Sequence, residues 1–197
     1  MSEAWTRACH ARTIAVTIQS GREIWLDDAA ATRGTATRVP VEGATASTDG
    51  GEQDMSSAAG YAGDLTPQEA WDLLAADERA VLVDVRTTGE WRIVGVPDTS
   101  DVGRETTFIE WVTAPDGRPN PRFLTELAAS GVTPNDGRTL VFLCRSGVRS
   151  IAAATAATAV GFGPAYNVLD GFEGGVGPDG RRGHTGWQAT GLPWTRG

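Results

Sequence analysis

An apolar run that ends in a cysteine and is followed by a short polar turn constrains the fold of this chain more than any other feature. The run comprises residues 140–143, Cys144 follows it, and the turn 145–149 leads into the alanine-rich segment 150–160, which predicts a helix. A buried strand, a tight turn and a helix in this order are typical of a parallel α/β sheet. Ligands usually bind at the carboxyl edge of such a sheet. The sequence therefore predicts that Cys144 lies at a binding site rather than in a core.

The turn after Cys144 has the features of an anion-binding loop. A turn that runs into a helix start directs unpaired N–H groups and the positive end of the helix dipole at one point. Arg145 and Arg149 flank the turn, and guanidinium groups bind oxyanions such as sulfonate or phosphate with fixed geometry. Ser146 and Gly147 are small enough to let the backbone approach a ligand closely. The same positive field favours the thiolate form of Cys144, which is the nucleophilic form.

Several segments resemble the rhodanese family of sulfurtransferases. The stretch LCRSGVRS (143–150) resembles the family's active-site loop, whose signature is a cysteine, four residues and an arginine. The stretch LVDVR (82–86) resembles an earlier strand motif, and segments 166–175 and 187–194 resemble the C-terminal end. These segments occur in the family's order, from about residue 64 to residue 197. The resemblance implies an α/β fold with a parallel sheet of about five strands and helices on both faces.

The same resemblance implies sulfur transfer through a persulfide on Cys144. The thiolate would attack the outer sulfur of a small anionic donor such as thiosulfate, and sulfite would leave. Cyanide or a thiol would then accept the sulfur, and a protein thiol is equally compatible with the residues. The resemblance implies that five loop residues bind the substrate: Arg145, Ser146, Gly147, Val148 and Arg149. We expect no metal and no cofactor.

Two other functions fit parts of the pattern. Cysteine-dependent phosphatases and arsenate reductases occur on related folds, but their loops resemble a cysteine, five residues and an arginine. Here Ser150 is the sixth residue after Cys144, and Arg149 comes one position earlier. The short loop therefore favours sulfur over a tetrahedral phosphoryl group. A non-catalytic rhodanese-like binding module is the other alternative, although an inactive copy would be expected to lose its cysteine.

We interpret the polar residues outside the loop as structural rather than catalytic. Asp84 and Arg86, at the end of an earlier strand, are predicted to form an ion pair that supports the active loop rather than to act in catalysis. Glu90 is interpreted in the same way. His184 lies in a long glycine-rich segment and is interpreted as a solvated loop histidine rather than an acid or base. Nothing fixes the distance of Cys9 from the active thiol, so a resolving role for Cys9 is disfavoured.

The net charge and the cysteine content limit which classes of partner and which cellular compartment the sequence favours. The formal net charge is −8, and every basic residue among the 17 is an arginine. An acidic chain without a basic run is a poor candidate for binding nucleic acid or an anionic membrane. The chain has two cysteines and no apolar stretch long enough for a signal peptide or a membrane span. We therefore expect a cytoplasmic protein.

The composition of the first 60 residues differs from that of the rest. Ile14 to Ile18 and Glu23 to Leu26 could pair around Ser20 and Gly21, but segment 29–60 has few large apolar residues. Residues 1–60 are therefore predicted to be a disordered extension, with a rhodanese-like domain over 61–197. Met55 is a candidate for the natural start of translation. Elements predicted within the domain are helices over 67–76 and 123–129 and strands over 80–85, 93–96, 106–112 and 165–169.

Overall fold

The computed structural model describes residues 14–17, 23–26 and 60–196. The chain divides into two compact units, residues 1–53 and residues 54–197. In the first unit, strands β1 (Ile14–Thr17) and β2 (Glu23–Leu26) pair in antiparallel orientation, as the turn residues between them suggest. The rest of the predicted extension, including Met55, lies outside the described residues. Its disorder and its start site stay predictions.

The second unit is built on short strands and four helices. The strands are β3 (Gly63–Leu65), β4 (Val81–Asp84), β5 (Val96–Pro97), β6 (Thr107–Phe108), β7 (Val112–Thr113), β8 (Arg118–Pro119), β9 (Leu140–Leu143), β10 (Ala165–Val168) and β11 (Trp194–Thr195). The helices are α1 (Pro67–Ala76), α2 (Thr88–Val94), α3 (Phe123–Ala129) and α4 (Val148–Ala159). No helix among the residues described here is both long and apolar enough to cross a lipid bilayer.

A parallel sheet of five strands in the order β3-β10-β9-β4-β6 forms the centre of this unit. Strand β9 lies in the middle and is buried over its whole length, which agrees with its unbroken apolar sequence. All carboxyl ends of the strands point to one edge because every pairing in the sheet is parallel. Cys144, directly after β9, therefore begins the loop at the centre of that edge.

Helices cover both faces of the sheet. Phe142 faces the side of α3 and α4, where Phe123, Leu127 and the alanines of α4 pack against it. Val141 faces the opposite side, where α1 and the C-terminal segment with Trp187 pack. In α4 the buried positions are Ser150, Ala153, Ala154 and Ala157. Their spacing of three and four residues places them on one helix face, and their small size lets α4 lie close to the sheet.

The sequence predicts the bounds of two helices well. Thr66 and Glu69 form a capping box at the start of α1, with Pro67 in the first turn, as predicted. Helix α3 has the predicted bounds. Helix α4 begins at residue 148, two residues before the predicted start, because Gly147 adopts a left-handed conformation and serves as its N-cap.

The predicted strand over 93–96 is wrong. Residues 93 and 94 end helix α2, and only Val96–Pro97 is extended. Thr87 and Glu90 form a second capping box at the start of α2, and this local signal outweighs the strand preference of isoleucine and valine. The predicted strand over 106–112 is two short strands, β6 and β7, and the edge strand β3 was not predicted.

Candidate active site

Cys144 lies at the carboxyl edge of the sheet, between β9 and α4, as predicted. It is nevertheless only 1% exposed and belongs to the apolar cluster that includes Val85, Phe142 and Ala153. The expectation that Cys144 lies outside the core is therefore wrong. Cys144 therefore belongs to the core and also contacts the loop, through its Sγ atom.

Two polar groups at the start of α4 contact the sulfur. The Gly147 N–H donates to Cys144 Sγ at 3.2 Å, and Ser150 Oγ lies 3.2 Å from the same atom. Gly147 has a φ of 92°, a conformation that residues with a side chain rarely adopt. The first N–H groups of a helix have no partner within the helix, so the start of α4 adds partial positive charge beside the sulfur. The arrangement stabilises negative charge on or next to Cys144.

Arg149 is held by a carboxylate rather than free in the loop. Its Nη1 donates to Glu90 Oε2 at 2.9 Å and its Nη2 to Glu90 Oε1 at 2.6 Å. Glu90 also accepts the Thr87 N–H at 2.9 Å. Burial acts to raise the pKa of Glu90, but the Arg149 hydrogen bonds, the Thr87 N–H and the Arg149 charge outweigh it and lower that pKa to about 2. Hydrogen bonds to Glu90, and its charge, in turn raise the pKa of Arg149 although burial opposes the shift.

Arg145 is the more exposed of the two loop arginines. Its side chain is 46% exposed, and its Nε lies 4.0 Å from Glu90 Oε1. The Arg149 side chain, by comparison, is 22% exposed. Val148 is 73% exposed and lies on the same loop. Arg145 is therefore the loop cation that an incoming anion can contact without breaking a bidentate ion pair.

Asp84 and Arg86 form a fully buried ion pair. Arg86 Nη2 lies 2.6 Å from Asp84 Oδ2, and both side chains are 0% exposed. Arg86 also donates to the Gly95 carbonyl at 2.8 Å, and its guanidinium carbon lies 3.9 Å from the centre of the Phe172 ring. This group links the end of β4 to the residue after α2 and to the C-terminal segment. Neither charge is available to a ligand in this arrangement.

Residues 171–173 hold the active loop from its other side. The Phe172 N–H donates to the Cys144 carbonyl at 2.7 Å, and the Glu173 N–H donates to the Arg145 carbonyl at 3.0 Å. Gly171 has a φ of 59°, and a Cβ placed on it would overlap the Cys144 carbonyl and lie 2.7 Å from the Arg145 carbonyl carbon. Only glycine fits at residue 171 without moving the loop.

Comparison with known proteins agrees with this architecture. A family model described as the STR4 middle domain matches residues 63–197. An uncharacterised protein of Rickettsia conorii is 38% identical over 126 residues, which cover 64% of this chain and 91% of that protein. The rhodanese-like domain-containing protein 4, chloroplastic, of Arabidopsis thaliana is 30% identical over 127 residues, which are 64% of this chain and 24% of that protein. The chain belongs to the rhodanese-like family.

A solved structure also matches this rhodanese-like chain. The crystal structure of Rv0390 from M. tuberculosis is 56% identical, with a TM-score of 0.64, over 70% of this chain and 99% of that one. The family resemblance and the α/β fold with a five-stranded parallel sheet and helices on both faces are thus confirmed. The plant relative carries the word chloroplastic in its name, whereas a cytoplasmic location for this chain stays a prediction.

The rhodanese-like site also contains polar residues that sequence reasoning missed. Ser150 Oγ lies 2.6 Å from Asn167 Oδ1, and Asn167 Nδ2 donates to Asp64 Oδ1 at 2.8 Å. Tyr61 donates its hydroxyl to the same oxygen of Asp64 at 3.0 Å. A signal for Asn167 exists in the sequence, since an asparagine inside a buried strand requires partners. Its partners lie far away along the chain and could not be identified from the sequence.

The described contacts of the His184 side chain lie outside the active loop. The His184 side chain is 54% exposed and its Nε2 lies 2.9 Å from Asp179 Oδ1, within the glycine-rich segment. Its side-chain contact is therefore with that segment's own carboxylate. Cys9 lies outside the described residues, and its disfavoured resolving role stays a prediction.

Proposed function

We propose that this rhodanese-like protein is a sulfurtransferase that carries a sulfane sulfur as a persulfide on Cys144. The observation that supports this most is the environment of the sulfur, with the Gly147 N–H and the Ser150 hydroxyl each 3.2 Å from Sγ at the start of α4. The Gly147 N–H and the positive end of α4 suit a singly charged sulfur anion, and the Ser150 hydroxyl is close enough to donate to it when it turns. The loop length between Cys144 and Arg149 agrees with the family signature.

The reaction has two displacement steps. In the first step the Cys144 thiolate attacks the outer sulfur of thiosulfate, a new S–S bond forms to Sγ, and the old S–S bond breaks. Sulfite leaves with the electron pair of that bond, and the persulfide anion remains on the protein. In the second step cyanide or a thiolate attacks the terminal sulfur, and Cys144 leaves as a thiolate. No external oxidant or reductant is needed because the sulfane sulfur moves between nucleophiles.

The loop residues have different roles in this proposal. Arg145 would contact the sulfonate end of the donor, because it is the exposed loop cation. Arg149 would act mainly on the loop itself, since both of its terminal nitrogens are bound by Glu90. The amides of Ser146, Gly147 and Val148 would surround the terminal sulfur of the persulfide. Asp84 and Arg86 would keep the strand end in place.

Loop chemistry favours sulfur over a phosphoryl group. In the phosphatase alternative an arginine would stand at the sixth position after Cys144, where it would grip the oxygens of a tetrahedral anion. Ser150 occupies that position, and its Oγ lies 3.2 Å from the thiol sulfur. The retained cysteine in turn argues against a purely non-catalytic module. A protein thiol as acceptor, in the reducing cytoplasm, fits the same chemistry as cyanide.

Intact-protein mass spectrometry after incubation with thiosulfate tests the proposal. We expect a gain of one sulfur atom in the wild type and in Cys9→Ser, and no gain in Cys144→Ser. Addition of cyanide should remove the extra mass and release thiocyanate in equal amount. A persulfide-free Cys144 after thiosulfate and after mercaptopyruvate would refute sulfur transfer. Hydrolysis of an aryl phosphate that depends on Cys144 would support the phosphatase alternative instead.

A further inference from the structure

The hydroxyl of Ser150 has one proton and three acceptors around it. Ser150 Oγ lies 3.2 Å from Cys144 Sγ, 3.0 Å from the Gly147 carbonyl oxygen and 2.6 Å from Asn167 Oδ1. A serine hydroxyl donates only one hydrogen bond at a time. Ser150 is 0% exposed, so no bulk water supplies a second donor. The direction of this one proton therefore decides whether the sulfur receives a hydrogen bond or faces a lone pair.

Asp64 fixes the direction of the Asn167 amide. Asn167 and Asp64 are paired neighbours on the parallel strands β10 and β3, and Asn167 is in turn paired with Phe142 on β9. Asn167 Nδ2 donates to Asp64 Oδ1 at 2.8 Å. A flipped amide would place two oxygen acceptors at that distance, because a carboxylate only accepts hydrogen bonds. The amide oxygen of Asn167 must consequently face Ser150.

The short Ser150–Asn167 contact then requires the hydroxyl proton. Both oxygens are otherwise acceptors, and 2.6 Å is a normal distance for an O–H···O hydrogen bond. With its proton directed at Asn167, Ser150 turns a lone pair toward Cys144 Sγ. This orientation suits a neutral sulfur, which is present in the thiol and at Sγ of a persulfide. It disfavours the thiolate.

We propose that Asp64 and Asn167 are positioning residues that control the charge on Cys144 through the direction of the Ser150 hydroxyl. The hydroxyl points to Asn167 while Sγ is neutral and turns to Sγ when Cys144 is a thiolate. Asp64 lies on an exposed part of β3, so the control extends from the surface to the buried thiol. This inference rests on the proposed function, in which Cys144 is the nucleophile.

Other charged groups belong to the loop and to the elements that contact it. They are Arg145 in the loop, Arg149 on α4, Glu90 on α2 through Arg149, Asp84 and Arg86 at the end of β4, and Asp170 and Glu173 in the C-terminal segment. All of them stay unchanged when Asp64 is substituted. A comparison of variants at residue 64 with and without the Ser150 hydroxyl therefore isolates the hydrogen-bond path from the charge of Asp64.

The test is a double-mutant cycle read out on the thiol itself. The rate of alkylation by iodoacetamide is measured from pH 5 to 10 on the tryptic peptide 139–145, which separates Cys144 from Cys9. Asp64→Ala releases the Asn167 amide, which can then turn and donate to Ser150, so the hydroxyl proton becomes free for the sulfur. We expect the midpoint of the pH profile to fall by about 1 pH unit more in the Ser150 background than in the Ser150→Ala background. Asp72→Ala, which removes the same charge from α1 on the opposite face of the sheet, should leave the midpoint unchanged.

The outcomes separate this inference from the proposed function. An equal shift in both backgrounds would mean that Asp64 acts through its charge alone, and no shift would mean that it does not act at all; either overturns the inference. Asn167→Leu removes the competing acceptor without changing a charge and should also lower the midpoint, so the test survives if Asp64→Ala does not fold. No sulfur donor is used. A failure to form the persulfide would therefore refute sulfur transfer while leaving this result standing.

Discussion

Replacing Glu90 by glutamine removes the charge that holds Arg149 while keeping the size of the side chain. In the folded protein the pKa of Glu90 is lowered from 4.5 to about 2. Each unit of such a shift corresponds to about 1.4 kcal/mol, so the ionised form of Glu90 stabilises the fold by about 3 kcal/mol at neutral pH. The side chain is only 16% exposed, which limits screening by solvent. Glutamine can still accept the Thr87 N–H, so we expect Glu90→Gln to cost about 2 kcal/mol.

The loss should depend on pH in a defined direction. A carboxyl group whose pKa is lowered by folding contributes fully above its ordinary value of 4.5 and loses its contribution as the pH falls toward 2. The free energy of unfolding should be measured by urea titration at pH 7 and at pH 3.5. The advantage of the wild type over Glu90→Gln should shrink by about 1 kcal/mol between these two values. The contributions of the other carboxylates to the pH dependence cancel in this difference because both proteins contain them.

A matched control exists on the surface. Glu126 forms an ion pair with Arg122 at 3.4 Å in which the two side chains are 38% and 71% exposed. Glu126→Gln should therefore change the stability by less than about 0.5 kcal/mol. Two results would contradict an ion pair that stabilises the loop. One is a loss of unfolding free energy in Glu90→Gln as small as that of the control at pH 7, and the other is a loss that does not change with pH.

Three further substitutions test separate parts of the site. Arg145→Met should raise KM for thiosulfate about tenfold with little change in the urea midpoint, since an exposed charge-assisted contact is lost; steady-state thiocyanate formation measures this, and an unchanged KM contradicts it. Gly171→Ala should lower persulfide yield on Cys144 in the mass assay, because the added methyl group displaces the loop carbonyls, and a normal yield would show that the loop tolerates it. Arg86→Met leaves the buried Asp84 charge without its partner and should cost about 3 to 5 kcal/mol by urea unfolding; a cost below about 1 kcal/mol contradicts the argument.

The parts of the site that sequence reasoning could predict are contiguous in the chain. Strand β9, Cys144, the turn and α4 follow one another, so their order alone places the thiol at the sheet edge. Contacts between distant segments could not be predicted in the same way. Glu90 and Arg149 are 59 residues apart, and Asp64 and Asn167 are 103 apart. No local pattern connects these pairs. Asp64 and Asn167 meet on neighbouring strands, and Glu90 and Arg149 meet between α2 and α4, only once the chain has folded.

Burial and competing local signals explain the remaining differences. The polar turn after Cys144 suggests an open site, but Phe172 and its neighbours cover the loop from a segment nearly thirty residues away. Residues 93–96 have the composition of a strand. The capping box at Thr87 stabilises a helix that includes residues 93 and 94, and this outweighs their strand preference. Tertiary packing decides the burial of Cys144, and an upstream helix cap decides the conformation of residues 93 and 94.

Charge balance at the edge of the sheet argues for a covalent intermediate with a single negative charge, independently of loop length. Arg149 and Arg86 are each bound by a carboxylate at 2.6 Å, so their charges are largely neutralised where they stand. What remains beside Cys144 is the Gly147 N–H, the start of α4 and the exposed Arg145. A phosphoryl group on Cys144 would place a dianion beside the sulfur for the lifetime of the intermediate, in a chain of net charge −8, whereas a persulfide carries one negative charge. The same electrostatic reasoning predicts that thiosulfate meets its strongest attraction at Arg145. Sulfite then carries two negative charges back to solvent, and the persulfide keeps only the charge that the Cys144 thiolate brought.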